Sequence, residues 1–218
     1  MYNYPEQDYY SYNNSIRQAR SYMRIFNAAI GMQPVDVYIN NTLIALRLQY
    51  QEFTEYLPLQ PGYYNIKVYP AGTSQNPIAN IDLNFPAQSI YTLAITGQMP
   101  DINILPIPDP IRPMDIEKVY LRFGNLSPNM PNVDITFPDG TIIFGDVAYR
   151  EVTDYIPLNP GLYILEARLS GTSRIILTVP NIHLKPHRFY SVYAVGLVQG
   201  NPPLQVVIPL DGNSYLHV

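Results

Sequence analysis

The stretch Tyr56-Leu57-Pro58-Leu59-Gln60-Pro61-Gly62-Tyr63-Tyr64 returns as Tyr155-Ile156-Pro157-Leu158-Asn159-Pro160-Gly161-Leu162-Tyr163, 99 residues further on. Long self-similarity at a fixed spacing marks a repeated structural unit. The match runs outward on both sides. Upstream, Tyr22-Met23-Arg24-Ile25-Phe26-Asn27 answers to Tyr120-Leu121-Arg122-Phe123-Gly124-Asn125, and Val35-Asp36-Val37 to Val133-Asp134-Ile135. These pairs are 98 apart, which places a one-residue insertion in the second copy near Pro138-Asp139-Gly140. Downstream, Gly72-Thr73-Ser74 matches Gly171-Thr172-Ser173, Tyr91 matches Tyr190, and Gly97 matches Gly196.

Within a copy the apolar period is two. Val35, Val37 and Ile39 alternate with Asp36 and Tyr38, and Tyr64, Ile66 and Val68 alternate with Asn65, Lys67 and Tyr69. That pattern belongs to half-buried strands. Strands are expected near 21–27, 34–40, 42–48, 50–58, 62–69, 78–85, 90–96 and 102–107, and the series repeats from about 118 to 210. Asn40-Asn41 and Asp139-Gly140 supply the positive φ angles of tight hairpins. The expected fold is all-β, two tandem antiparallel β-sandwiches of immunoglobulin-like type. Tyr64 and Tyr163 follow the repeated Pro-Gly turn, where a tyrosine corner folds its hydroxyl back onto the backbone. They could equally be large strand-core residues.

The organisation read from these boundaries is an N-terminal arm at 1–20, a first repeat at 21–108, a linker at 109–117 and a second repeat at 118–218. Pro106, Pro108, Pro110 and Pro113 stiffen the stretch between the copies, since spaced prolines favour extended, semi-rigid geometry.

Composition narrows the function. Of 218 residues 14% are charged, against about 25% in an average domain. Twenty-two prolines and 20 tyrosines are present, with no cysteine and no tryptophan. Absent cysteines exclude a disulfide framework, a thiolate metal site and a cysteine nucleophile. A net charge of -4 leaves no basic footprint for nucleic acid. No apolar run is long enough for a membrane-spanning helix, so no membrane insertion is expected. The N-terminus carries no signal-peptide pattern, and a cytoplasmic location is the alternative to a surface reached without one.

Candidate chemistry is thin. His183 and His187 have the spacing of two ligands on one helical face, but Pro186 and the strand context oppose a helix, and the default is a pair of solvated loop histidines. His217 stands alone. Glu52 and Glu55, on an expected strand, point to opposite faces, which is wrong for an acid and base flanking one bond. Glu151 and Asp154 repeat the arrangement. No nucleophile elbow, phosphate loop or dinucleotide fingerprint occurs. No catalytic, cofactor or metal residues are therefore assigned, and the protein is expected not to be an enzyme. Arg24 and Asp36, like Arg122 and Asp134, occupy equivalent outward positions on strands and are expected to form structural ion pairs, or less simply a ligand-binding pair.

The run from Tyr22 to Gly97 resembles the DUF4397 domain, a bacterial sandwich family of unknown function. The residues that carry the likeness are Pro34-Val35-Asp36-Val37-Tyr38-Ile39-Asn40, Glu55-Tyr56-Leu57-Pro58-Leu59, Pro61-Gly62-Tyr63-Tyr64, Val68-Tyr69-Pro70-Ala71-Gly72-Thr73 and Tyr91-Thr92-Leu93-Ala94. The second copy follows more loosely, with Ala167-Arg168-Leu169-Ser170-Gly171 in place of Val68-Tyr69-Pro70-Ala71-Gly72. The resemblance implies a sandwich and transfers no catalytic motif.

Two features are left over from folding. The arm holds Tyr2, Tyr4, Tyr9, Tyr10 and Tyr12 among Asn, Gln and Ser, and no counterpart precedes the second copy. Aromatic rings give large contact area at low entropic cost, which suits an assembly arm; a disordered leader is the plain alternative. Outward strand positions are largely uncharged, a surface that favours association. The expectation is a non-catalytic structural protein of a bacterial surface layer, specifically the spore coat, which self-associates or joins other coat proteins. The alternative is a module binding carbohydrate or a cell-wall polymer through Tyr38, Tyr63 and Tyr69.

Overall fold

The alternating segments pair into four sheets of four strands, two per copy. The structure is a computed structural model that describes residues 20–216; the arm tyrosines Tyr2, Tyr4, Tyr9, Tyr10 and Tyr12 and the histidine His217 lie outside the described residues. The first copy runs β1 (Ser21–Asn27), β2 (Val35–Ile39), β3 (Thr42–Leu48), β4 (Leu57–Leu59), β5 (Gly62–Pro70), β6 (Ala79–Phe85), β7 (Ile90–Gln98) and β8 (Asp101–Pro108). The second runs β9 (Val119–Asn125), β10 (Val133–Thr136), β11 (Ile142–Val147), β12 (Ile156–Leu158), β13 (Gly161–Leu169), β14 (Ile175–Leu184), β15 (Arg188–Val195) and β16 (Gln205–Val207). Sheet orders repeat: β4-β1-β7-β8 against β3-β2-β5-β6, then β12-β9-β15-β16 against β11-β10-β13-β14. Each copy is a β-sandwich. One pairing in each departs from antiparallel: β1 with β7, and β9 with β15, run parallel.

Apolar residues from the two sheets of a copy meet in its core. In the first copy these include Met23, Ile25, Val35, Val37, Ile66, Val68 and Leu93. Leu121, Phe123, Val133, Ile135, Leu165 and Val192 fill the same place in the second. A third apolar cluster lies between the copies and joins Phe26, Ala94 and Ile107 of the first to Leu126, Tyr193 and Val195 of the second. It forms because the sheets carrying β1 and β9 each turn one face to their own sandwich and the other to the opposite copy, where these apolar residues sit beside the buried Arg24 and Arg122.

Turn chemistry accounts for the shared landmarks. Asn40 and Asn41 both have positive φ, at 45° and 66°, and close a two-residue hairpin between Ile39 and Thr42. In the second copy only Gly140 does, at 89°, and the loop between Thr136 and Ile142 is longer, which absorbs the inserted residue. Gly97 and Gly196 also have positive φ, and a Cβ there would lie 2.0 and 2.2 Å from the carbonyl oxygens of Asp101 and Pro203. Both copies therefore need glycine at this hairpin. The Tyr64 hydroxyl donates to the Gln60 carbonyl at 2.9 Å and the Tyr163 hydroxyl to Asn159 at 2.6 Å, the geometry of a tyrosine corner.

Three local expectations need correction. The strand expected over 50–58 is a turn, with Gln51 at φ 69°, followed by a single bridge from Phe53 to Phe26 and the short β4. Glu52 therefore lies off any strand and its carboxylate accepts from the backbone N–H of Gln49 at 2.7 Å, as Glu151 does from Ala148 at 2.9 Å. Pro106 lies on β8, in line with the strand expected near 102–107, and Pro108 ends that strand, so neither belongs to the connector that the four prolines suggested; β8 lies at a sheet edge, where a missing N–H breaks no ladder. Tyr69, expected outward, is buried and packs edge-on to Tyr38 at 5.4 Å.

The expected Arg24–Asp36 and Arg122–Asp134 ion pairs do not form. Asp36 is buried and its two carboxylate oxygens accept backbone N–H groups of Arg47 at 2.7 Å and Gly72 at 2.8 Å. Asp134 does the same with Asp146 at 2.8 Å and Gly171 at 2.9 Å. Arg47 and Asp146 both sit at φ 53°, where β3 and β11 bulge, and a carboxylate reaching the freed N–H satisfies a donor the ladder cannot. Asp36→Ala leaves both donors unpaired and is expected to lower stability by about 2–3 kcal/mol in urea denaturation, with Asp134→Ala matching it.

Candidate functional site

Arg24 and Arg122 lie on β1 and β9, on the face each sheet turns toward the other copy. Their partners come from the far side of that junction. Arg24 Nη2 donates to Asp211 Oδ1 at 2.8 Å and Nη1 to the Leu210 carbonyl at 2.9 Å. Arg122 Nη2 donates to Asp109 Oδ1, and its Nη1 to the Pro108 carbonyl at 2.7 Å. Each arginine thus binds the aspartate, and the carbonyl just before it, at the end of the other copy's last strand segment. The remaining donor stays at home: Arg24 Nε meets Thr92 Oγ1 at 3.0 Å and Arg122 Nε meets Ser191 Oγ at 2.6 Å.

Tyrosines of the repeated Tyr-x-Pro-Leu string complete the ring. Tyr56 donates to Asp109 Oδ2 at 2.7 Å, and Tyr155 to Asp211 Oδ2 at 2.6 Å. Ser191 Oγ also donates to Asp211 Oδ2 at 2.6 Å. The Tyr56 oxygen accepts the Gly212 N–H at 3.1 Å, a further bridge between copies. Each guanidinium lies over a ring, Arg24 4.6 Å from the Tyr56 centroid and Arg122 4.5 Å from that of Tyr155.

Both aspartate side chains are fully buried and the arginine side chains only 5% and 3% exposed. Two cations face two anions, so the cluster is neutral, which is how buried charge is tolerated. Burial opposes the charge on Arg24 and Arg122, but the surrounding tyrosines and aspartates outweigh it and hold both guanidiniums above their ordinary range. Burial, with Asp211 adding to it, pushes the Asp109 carboxyl up, against the pull of Arg122 and Arg24. Burial likewise pushes Tyr56, Tyr155 and Tyr193 above the ordinary tyrosine range, so they stay un-ionised.

Chemically the cluster is spent on itself. Ser191 is the one hydroxyl with an activated look, yet it is fully buried and lies between Arg122 and Asp211 with no histidine as base. A cleft of about 230 Å³ opens on the Arg122 side of the cluster, lined by Ile107, Pro108, Arg122, Arg150, Asp154 and Tyr155. Arg122 and Tyr155 reach it with their polar atoms already bonded inward. His183 is exposed on β14 and His187 exposed in the turn after it. Among the described residues no three His, Asp or Glu side chains are grouped to hold a metal ion, and no helix is long and apolar enough to cross a membrane.

Arg24, Arg122 and the repeated tyrosine string stand out in the sequence, but the arginines' partners are Asp211 and Asp109, not the expected Asp36 and Asp134. Asp109 and Asp211 escaped because they are 102 apart, outside the 98- and 99-residue offsets, with Leu210 interrupting the match between Ile107-Pro108-Asp109 and Ile208-Pro209-Leu210-Asp211. Thr92 and Ser191 are 99 apart and were open to detection.

The profile of the family described as "Domain of unknown function (DUF4397)" matches residues 21–136. No curated protein matches the chain in sequence. Two solved structures are similar in part. The Bacillus anthracis TIE protein is 12% identical, covers 83% of this chain and 34% of its own, and has a TM-score of 0.28. A structure described as alpha-glucan binding by a streptococcal virulence factor is 10% identical, covers 91% of this chain and 100% of its own, and has a TM-score of 0.26. The chain thus spans about a third of the length of the first, 34%.

Proposed function

The chain belongs to the DUF4397 family, and we propose that it is a non-catalytic structural protein of a bacterial surface layer, the spore coat being the specific site, that works by self-association. The observation that carries this reading is the reciprocal cluster: two buried arginine–aspartate pairs run across the junction and fasten the two sandwiches into one block. A block of this kind suits a building unit, because assembly geometry is transmitted only through stiff parts. Low surface charge supports the same reading, since few like charges keep copies apart. The five tyrosines within residues 1–20 support it as well, since aromatic side chains give large contact area at low entropic cost. Sedimentation of the full chain across a concentration series is expected to give concentration-dependent oligomers that weaken when residues 1–20 are deleted. A monomer at all concentrations, indifferent to the deletion, would overturn the proposal. Following the tagged protein through growth and sporulation tests its place in the coat.

A second reading rests on the outer face of β5 and β6. Tyr63 is 81% exposed there, beside Asn65, whose amide donates to Asn80 at 2.8 Å and Asp82 at 2.7 Å. An open ring next to fixed amides suits stacking and hydrogen bonding of a sugar. The second copy has Leu162 in place of Tyr63, so binding would belong to the first copy alone. A glycan array with wild type and Tyr63→Ala separates the readings: retention lost on substitution supports the sugar site, and no retention by wild type rejects it.

A further inference from the structure

The junction between the copies has the form of an isologous dimer contact. In such a contact residue i meets j and the symmetry mate of j meets that of i. Here Arg24 meets Asp211 while Arg122 meets Asp109, and Arg24 meets the Leu210 carbonyl while Arg122 meets that of Pro108. Two equivalent faces, one per copy, hold each other.

None of these contacts requires the two faces to belong to one chain. The segment joining them is exposed over 111–113 and 115–117, and its ion pair, Arg112 with Asp154, is 40% and 85% exposed. Past Pro110, whose carbonyl accepts from the Asn213 side-chain amide at 2.7 Å, it tethers the copies without cementing them.

The faces are equivalent but not identical. Phe26 of the first copy stacks on Phe53 at 4.0 Å and on Tyr193 at 5.6 Å, whereas the counterpart of Phe26 is Gly124 and that of Tyr193 is Ala94. A face with a large ring at one position and a small residue at the other fits the opposite face best. Tyr193 lies so close over Gly124 that a Cβ there would be 2.7 Å from its ring. Two like faces would double one ring and leave the other position empty, so unlike faces are favoured by packing.

We propose that the face joining the two copies within a chain also joins the first copy of one chain to the second copy of another, so that chains assemble head to tail by exchange. This rests on the self-association reading and names its interface. Within a chain the tether gives the closed form a high effective concentration. At the density of a surface layer, the open form offers the same contacts between chains, and unlike pairing leaves each end of the array unsatisfied, so the array extends.

The test uses the full chain with a protease site inserted between Ile116 and Glu117. Unlabelled and ¹⁵N-labelled chains are unfolded together and refolded at high and at low concentration. Oligomers are isolated, cut at the inserted site and weighed by native mass spectrometry. Exchange predicts that cutting resolves high-concentration oligomers into units of one first and one second copy, about half of them isotopic hybrids, as random pairing requires. Low-concentration material gives units of a single isotope. Arg24→Met with Arg122→Met is expected to release separate copies on cutting. Oligomers that yield no hybrids would overturn exchange while leaving self-association standing. No oligomers at any concentration would overturn both.

Discussion

Asp211→Ala is expected to lower the stability of the whole chain by about 3–5 kcal/mol, the cost of breaking a buried ion pair from one side. The substitution strips acceptors from Arg24, Tyr155 and Ser191, which donate to this carboxylate at 2.8, 2.6 and 2.6 Å. Arg24 would then be a buried cation with Leu210 and Thr92 alone to bond. Because Arg24 belongs to the first copy and Asp211 to the end of the second, damage should cross the junction. Urea denaturation gives the total, and amide exchange at Ile25 reports the first copy. Glu117→Ala, at an exposed site, is the control and should change stability by less than about 0.5 kcal/mol. A cost for Asp211→Ala as small as the control's would mean the cluster contributes nothing to holding the copies.

Alkaline pH should unfold the protein steeply. Tyr56, Tyr155 and Tyr193 are held un-ionised by burial, with pKa values raised in the folded state. An unfolded tyrosine ionises near pH 10. Above that pH the unfolded chain gives up three protons that the folded chain keeps, so stability present below about pH 10 is lost as pH rises toward the folded values. These three groups alone contribute a slope of about -4 kcal/mol per pH unit, and Tyr50 and Tyr215, also raised by partial burial, add to it in the same direction. Ultraviolet absorbance of tyrosinate, followed with denaturation curves from about pH 9 upward, should record exposed tyrosines ionising first and a buried set appearing only with cooperative unfolding. Gradual ionisation of every tyrosine without unfolding would contradict the described burial. Tyr155→Phe should remove about a third of the contribution of those three tyrosines.

The repeat carried most of the fold in the sequence. Period-two alternation placed the strands because each sheet has one face in a core, and the kept glycines marked hairpins where a Cβ would strike a carbonyl. Failures occurred where a residue's conformation or partner is set from a distance. Gln51 and Arg150 take positive φ with ordinary side chains, so nothing in residue type announced the turn that replaced an expected strand. Arg24 and Asp36 share a copy and a plausible spacing, which made them look like a pair. Their real partners, Asp211 and the Arg47 and Gly72 amides, are fixed by the docking of two sandwiches and by a bulge. Low overall charge was the available signal: with so few ionisable residues, an arginine kept in both copies on a strand with no other charged residue asks for a buried counter-charge.

Reciprocal bonding across the junction is the central claim, and a double-mutant cycle between Arg24→Met and Asp211→Asn tests it most directly. If the two side chains bind each other across the copies, the cycle should give a coupling energy of at least about 2 kcal/mol. Additive losses, with coupling within about 0.5 kcal/mol of zero, would contradict it.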